Sequence, residues 1–201
     1  MNKKTIITIL LALALVAVAG QAQEINMNEP SFSDYLPLLN IKGYKAYSFD
    51  TSAFKGKWAE LVVKEYVNGE MITNSMSDFG IALGIKDKLI MGFAPSDNDS
   101  TTIFSFHCSD NGAFSCQLPL KPIIDPNNSG KKEFQYETRP FELVEPFSVG
   151  QFIPLVLYGS WWYDADIPGT RFCGENFIKP DLSSDIVQFI PHYFVLGIKI
   201  K

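Results

Sequence analysis

The sequence predicts an all-β protein: an antiparallel β-sandwich with one or two short helices, for which a small lipocalin-like β-barrel is the alternative. Three observations predict it. From Tyr44 to the C-terminus, short runs of alternating or continuous apolar residues are separated by clusters of Gly, Pro, Asn, Asp and Ser. Asn68-Gly69 stands between two such runs and supplies the positive φ angles that a tight hairpin turn needs. Helical periodicity is scarce, limited to residues 30–39 and 184–190, the second with Ser183 or Ser184 as N-cap.

The first 22 residues read as a secretory signal peptide. Lys3 and Lys4 precede an uncharged apolar run over residues 5–19, and small residues follow. Cuts after Ala19 and after Ala22 both fit, and the second is favoured. The run is short for a bilayer span, which takes about 20 apolar residues, and no basic cluster follows it. The expected product is soluble, with no transmembrane segment after cleavage. Residues 23–43 form a lead-in, and 44–201 are expected to form a single β-sandwich domain.

Within that domain, residues 44–50 alternate in strand fashion. Residues 58–67 and 70–74 flank Asn68-Gly69, a hairpin that pairs Tyr66 with Met71 and Val67 with Glu70. One or two strands fall in 81–93, before a polar loop. In 102–108, Phe104, Phe106 and Cys108 share one face. In 114–120, Phe114, Cys116, Leu118 and Leu120 do the same. Residues 131–138 and 141–144 continue the β pattern after a loop at 125–130. Residues 152–158 are almost continuously apolar, as suits a central strand covered on both faces. The last run turns Phe194, Leu196, Ile198 and Ile200 inward and Lys199 and Lys201 outward. Residues 164–185 form the longest irregular stretch.

The chain carries 17 basic and 22 acidic residues, a net charge of −5. Loss of the leader removes Lys3 and Lys4 and takes the balance to −7. That disfavours nucleic acid and anionic membrane as partners, since both demand clustered Lys and Arg. The cysteines are Cys108, Cys116 and Cys173. In an oxidising compartment the expectation is a Cys108–Cys116 disulfide across a hairpin, with Cys173 free or peripheral. A register centred on Gly112 would bring the two together, whereas one centred on Asn111 would set Cys108 opposite Phe114. The Cys108-x7-Cys116 spacing does not fit a zinc site. No metal or cofactor is called for.

Catalytic signatures are missing: there is no Gly-x-Ser-x-Gly elbow, His-Glu-x-x-His helix or phosphate-cradling glycine loop. The two histidines, His107 and His192, leave triad and metal-hydrolase mechanisms little material. What stands out is the aromatic group Trp161, Trp162 and Tyr163 running into Asp164, Asp166, Arg171 and Glu175. Adjacent tryptophans in a strand point to opposite faces, so one can be buried while the other meets solvent. An exposed ring beside carboxylates suits a sugar, the ring stacking on its apolar face and the acids taking hydroxyls. The expected ligand site is therefore Trp161, Trp162, Tyr163, Asp164, Asp166 and Arg171.

Residues 49–57 (FDTSAFKGK) and 63–70 (VKEYVNGE), behind this kind of leader, resemble a family of uncharacterised exported proteins of gut Bacteroides, about 200 residues long. The resemblance implies a periplasmic or cell-surface location and brings no catalytic residues with it. Two functions follow from the sequence. The first is an exported, non-enzymatic β-domain that binds a glycan or a cell-surface protein through loops at one end. The alternative is a carboxylate-dependent glycan hydrolase.

Overall fold

The computed structural model describes residues 29–73, 81–109, 112–125, 128–144, 146–164, 166–167 and 169–201. The expected leader lies outside them. The chain divides into a unit ending at Leu36 and a unit from Pro37 to Lys201 that contains every described strand. A helix, α1 (Phe32–Ile41), opens the described region. Its start is tied by Asp34, whose Oδ2 accepts from Ser31 N–H at 2.7 Å and from the Ser31 hydroxyl at 2.8 Å. Among the described residues no helix is long and apolar enough to cross a membrane.

Two antiparallel sheets make a sandwich that does not close into a barrel. One sheet has the order β1 (Lys45–Asp50), β5 (Lys88–Pro95), β6 (Thr101–Ser109), β7 (Gly112–Pro119). The other has the order β10 (Tyr136–Pro140), β11 (Phe152–Ser160), β14 (His192–Ile200), β2 (Trp58–Val67), β3 (Glu70–Thr73), and β4 (Ala82–Gly84) pairs with the opposite end of β2. Two small hairpins stand apart: β8 (Ile123–Asp125) with β9 (Asn128–Glu133), and β12 (Trp162–Tyr163) with β13 (Thr170–Arg171). Thus part of the stretch read as a loop at 125–130 belongs to a hairpin. Of residues 141–144 only Phe141 pairs, in an isolated parallel bridge to Ile178.

The hairpin at Asn68-Gly69 has the expected register, Tyr66 with Met71 and Val67 with Glu70. Its turn residues adopt φ of +50° and +79°, the region that Asn and Gly tolerate best. Alternate residues of β2, β5, β6, β11 and β14 meet between the sheets, among them Leu61, Val63, Leu89, Met91, Phe104, Phe106, Val156, Phe194 and Leu196. A second apolar cluster covers the opposite face of the larger sheet. Leu157, Tyr193 and Val195 pack there against Trp162, Phe172, Ile178, Ile186, Val187 and Ile190. Burial on both faces explains why β11 and β14 are apolar almost throughout. At Gly197 the strands approach so closely that a Cβ would fall 2.2 Å from the Ile153 carbonyl oxygen, beside the irregularity between Pro154 and Val156.

The cysteine expectation is overturned. Cys108, Cys116 and Cys173 are all free thiols. The β6–β7 register pairs Phe104 with Cys116 and Phe106 with Phe114, and an irregularity falls between His107 and Ser109. It is neither of the two registers considered. Cys116 therefore lies four residues along the hairpin from Cys108, about 13 Å at strand spacing, and a disulfide tolerates no more than about 7 Å. Both side chains do face the apolar interior; shared facing was legible and register was not.

Candidate functional site

The inward-facing rows of three strands end in polar residues at one end of the sandwich. In β2 the row Ala59, Leu61, Val63 continues to Glu65, and in β14 the row Ile200, Ile198, Leu196, Phe194 runs back to His192. In β10 it comprises Tyr136 and Thr138. The register brings these ends together: Phe194 pairs with Glu65, and Tyr136 with Ser160 at the end of β11. His192 Nε2 lies 3.0 Å from Glu65 Oε1, and His192 Nδ1 meets the Tyr136 hydroxyl in a short hydrogen bond. That hydroxyl also accepts from Lys121 N–H at 2.9 Å and lies 3.1 Å from the Lys121 carbonyl oxygen. The backbone N–H of His192 donates to Ser160 Oγ at 3.3 Å.

His192 is 2 % exposed. Burial pushes its pKa below the ordinary 6.5, against the Glu65 bond, which favours the charged ring. Lys121 adds its positive charge to the downward side. In the neutral ring, Nε2–H donates to Glu65 and Nδ1 accepts from Tyr136. Burial also holds the Tyr136 phenol well above its ordinary range. Such a phenol is a poor nucleophile or base at neutral pH. Both imidazole nitrogens are occupied inside the protein. The arrangement is suited to fixing geometry rather than to moving protons onto a substrate.

Above this network lies an open groove of ≈ 840 Å³. Its walls come from four places: Val67 and Asn68 at the β2–β3 turn, residues 121–124 leading into β8, Ser160, Trp162 and Tyr163 after β11, and Gln188, Phe189, Pro191 and His192 before β14. Asn68 N–H donates to the Pro191 carbonyl at 2.8 Å and ties two of these walls together. Two apolar wall residues are left open to solvent: Ile124 is 57 % and Phe189 49 % exposed. The Phe189 ring stacks on Trp162, with centroids 5.9 Å apart and 20° between planes.

Of the residues expected to bind ligand, Trp162 and Tyr163 line this groove. Trp162 is 5 % exposed and belongs to the second apolar cluster, between Phe172 and Phe189. Trp161 is half-buried against the same cluster. Asp164, Asp166 and Arg171 are not among the lining residues. Asp164 forms an ion pair with Arg171 across the β12–β13 hairpin, and its Oδ1 accepts from Asp166 N–H at 2.8 Å. The Arg171 guanidinium sits 6.0 Å from the Trp162 ring centre. Glu175 caps the short 3-10 helix Asp185–Phe189, accepting from Asp185 N–H at 2.8 Å and from Ile186 N–H at 3.3 Å. Its own backbone N–H first, and then these bonds, hold its carboxyl below the usual range.

The expectation did not contain Glu65, Tyr136, His192, Lys121, Ile124 or Phe189. A signal for the first three was present in the strand parity, since each continues a row of inward residues. Among the described residues no group of three or more His, Cys, Asp or Glu side chains gathers as a metal site would require.

No curated protein and no solved structure matches the chain. One family model does: it covers residues 14–201, nearly the full sequence. The chain therefore belongs to the family of the domain of unknown function DUF5041.

Proposed function

We propose that this protein is an exported, non-enzymatic β-domain that holds a ligand with an apolar face in the groove at the Glu65–His192 end of its sandwich. The observation that carries the reading is the combination of exposed Ile124 and Phe189 on the walls with a fully engaged polar network beneath them. Exposed apolar area grouped in a concavity is the usual mark of a binding surface. The groove volume of ≈ 840 Å³ falls in the range of small-molecule sites, about 300–1,000 Å³. A glycan presenting the apolar face of a pyranose to Phe189, or a side chain of a cell-surface protein, could enter it. Export is supported by the charged, apolar and small order of residues 1–22. The resemblance to exported proteins of gut Bacteroides supports a periplasmic or surface setting. Of the two neighbouring acids that a hydrolase would use, Asp164 is spent on an ion pair with Arg171, and neither it nor Asp166 lines the groove, which favours binding over cleavage.

The test is retention of the purified protein on a glycan panel and on immobilised apolar ligands, with released sugar measured in parallel. Binding without release, lost in Ile124→Asp, is expected. Release of sugar, or binding indifferent to Ile124→Asp, would overturn the reading.

A further inference from the structure

The chain is acidic, with 22 Asp and Glu against 17 Lys and Arg, yet among the described residues no carboxylate lines the groove. Lys121 is the charged side chain among its walls. The rest of the surface is dominated by Val67, Pro122, Ile123, Ile124, Trp162 and Phe189. The acids nearest these walls are turned to other tasks: Glu65 lies behind His192, Asp125 reaches the Tyr163 hydroxyl, and Glu133, which also acts on Tyr163, is paired with Lys131. Lys121 is also held in a particular way. Its backbone N–H donates to the Tyr136 hydroxyl, which donates to His192, which in turn bonds Glu65. The buried network thus anchors the backbone from which the exposed Lys121 side chain extends, as a supporting layer beneath a site does.

We propose that the groove takes an amphipathic monoanion, its apolar body along Ile124, Trp162 and Phe189 and its carboxylate at the Lys121 ammonium. This rests on the groove being a ligand site, and it makes Glu65, His192 and Tyr136 positioning residues for Lys121. A cation is disfavoured by the same charge. A ligand bound chiefly through hydroxyls finds no free carboxylate in the lining.

The experiment is calorimetric titration of the purified protein at pH 8 and low salt with three ten-carbon probes, each below its micelle-forming concentration. The probes are decanoate, decan-1-ol and decyltrimethylammonium. Decanoate is expected to bind at least about tenfold more tightly than decyltrimethylammonium. Octanoate should be weaker than decanoate by roughly fifteenfold, since each of the two methylenes lost contributes about a fourfold factor. Lys121→Gln is expected to bring decanoate down to the level of decan-1-ol while leaving decan-1-ol unchanged. Equal binding of anion and cation, or decanoate binding that Lys121→Gln leaves intact, overturns the proposal. If Ile124→Asp still abolishes decan-1-ol binding in that case, the groove remains the site and only its charge preference was misassigned. Binding of every probe unaffected by Ile124→Asp would overturn the groove itself. No heat with any probe would overturn the amphiphile and leave the groove to the glycan panel.

Discussion

Replacing Glu65 with leucine removes the acceptor from His192 Nε2 and keeps a side chain of similar bulk. The bond lost is 3.0 Å long, and the imidazole it serves is buried. A buried donor left unpaired costs about 1–3 kcal/mol, and the added apolar burial of leucine offsets part of that. A net loss of about 1–2 kcal/mol at pH 8 is expected. The pH dependence carries the sharper test. His192 has its folded pKa below the unfolded 6.5, so the unfolded chain binds more protons as the pH falls. Its contribution to stability is complete above about 6.5 and is lost as pH falls through the folded pKa. Glu65 opposes that depression. Without Glu65 the folded pKa drops further and the acid loss deepens. Urea unfolding at pH 8, 6.5 and 5 should show the gap between Glu65→Leu and the parent widening toward acid, with the slope in denaturant unchanged. Glu65→Gln keeps an acceptor but not the charge, so it should recover most of the pH 8 stability and retain the steeper acid loss. A variant as stable as the parent at pH 8, or a gap that narrows toward pH 5, would refute the reasoning.

Two further outcomes follow from the packing. Burial pushes the Cys108 thiol up to about 12 and the Cys116 thiol up to about 11, whereas Cys173 is exposed. Thiol titration of the native protein at pH 8 should label one cysteine quickly, and denaturation without reductant should reveal all three; a count of one after denaturation would restore the disulfide. Trp162→Ala should cost about 3–5 kcal/mol in chemical denaturation, as for a large buried ring. Trp161→Ala should cost distinctly less, because that ring is half-buried; the reverse ranking would contradict the assignment of the two rings.

Alternation made much of the sandwich legible. The inward rows of β6, β7 and β14 are those the parity of Phe104, Phe114 and Phe194 indicates, and the continuous apolar run at 152–158 did mark a strand covered on both sides. Asn68-Gly69 fixed its own register because the turn chemistry is local. The β6–β7 register was not fixed in this way. Its turn carries the same dipeptide, Asn111-Gly112, but Gly112 pairs with Ser109 as a strand residue, and an irregularity between His107 and Ser109 shifts the pairing, so Cys116 meets Phe104. The site was legible in part. Trp162 and Tyr163 were found as an unusual aromatic group, but long-range pairing decides that Trp162 is covered by Phe189 and Phe172. Glu65, Tyr136 and His192 are separated by up to 127 positions in the chain and converge only through strand order. Residue type alone could not announce them, since a lone histidine in a strand has no chemistry until its neighbours are known.

The central claim is that the groove between β8, Trp162 and β14 holds the ligand. The most direct measurement is an NMR titration of methyl and indole resonances with decanoate. The account predicts saturable shifts at Val67, Ile123, Ile124 and the Trp162 indole, with Leu143, Val144 and Ile153 unmoved. Shifts gathered instead around Leu143, Val144 and Ile153, in the separate ≈ 510 Å³ hollow, would contradict it.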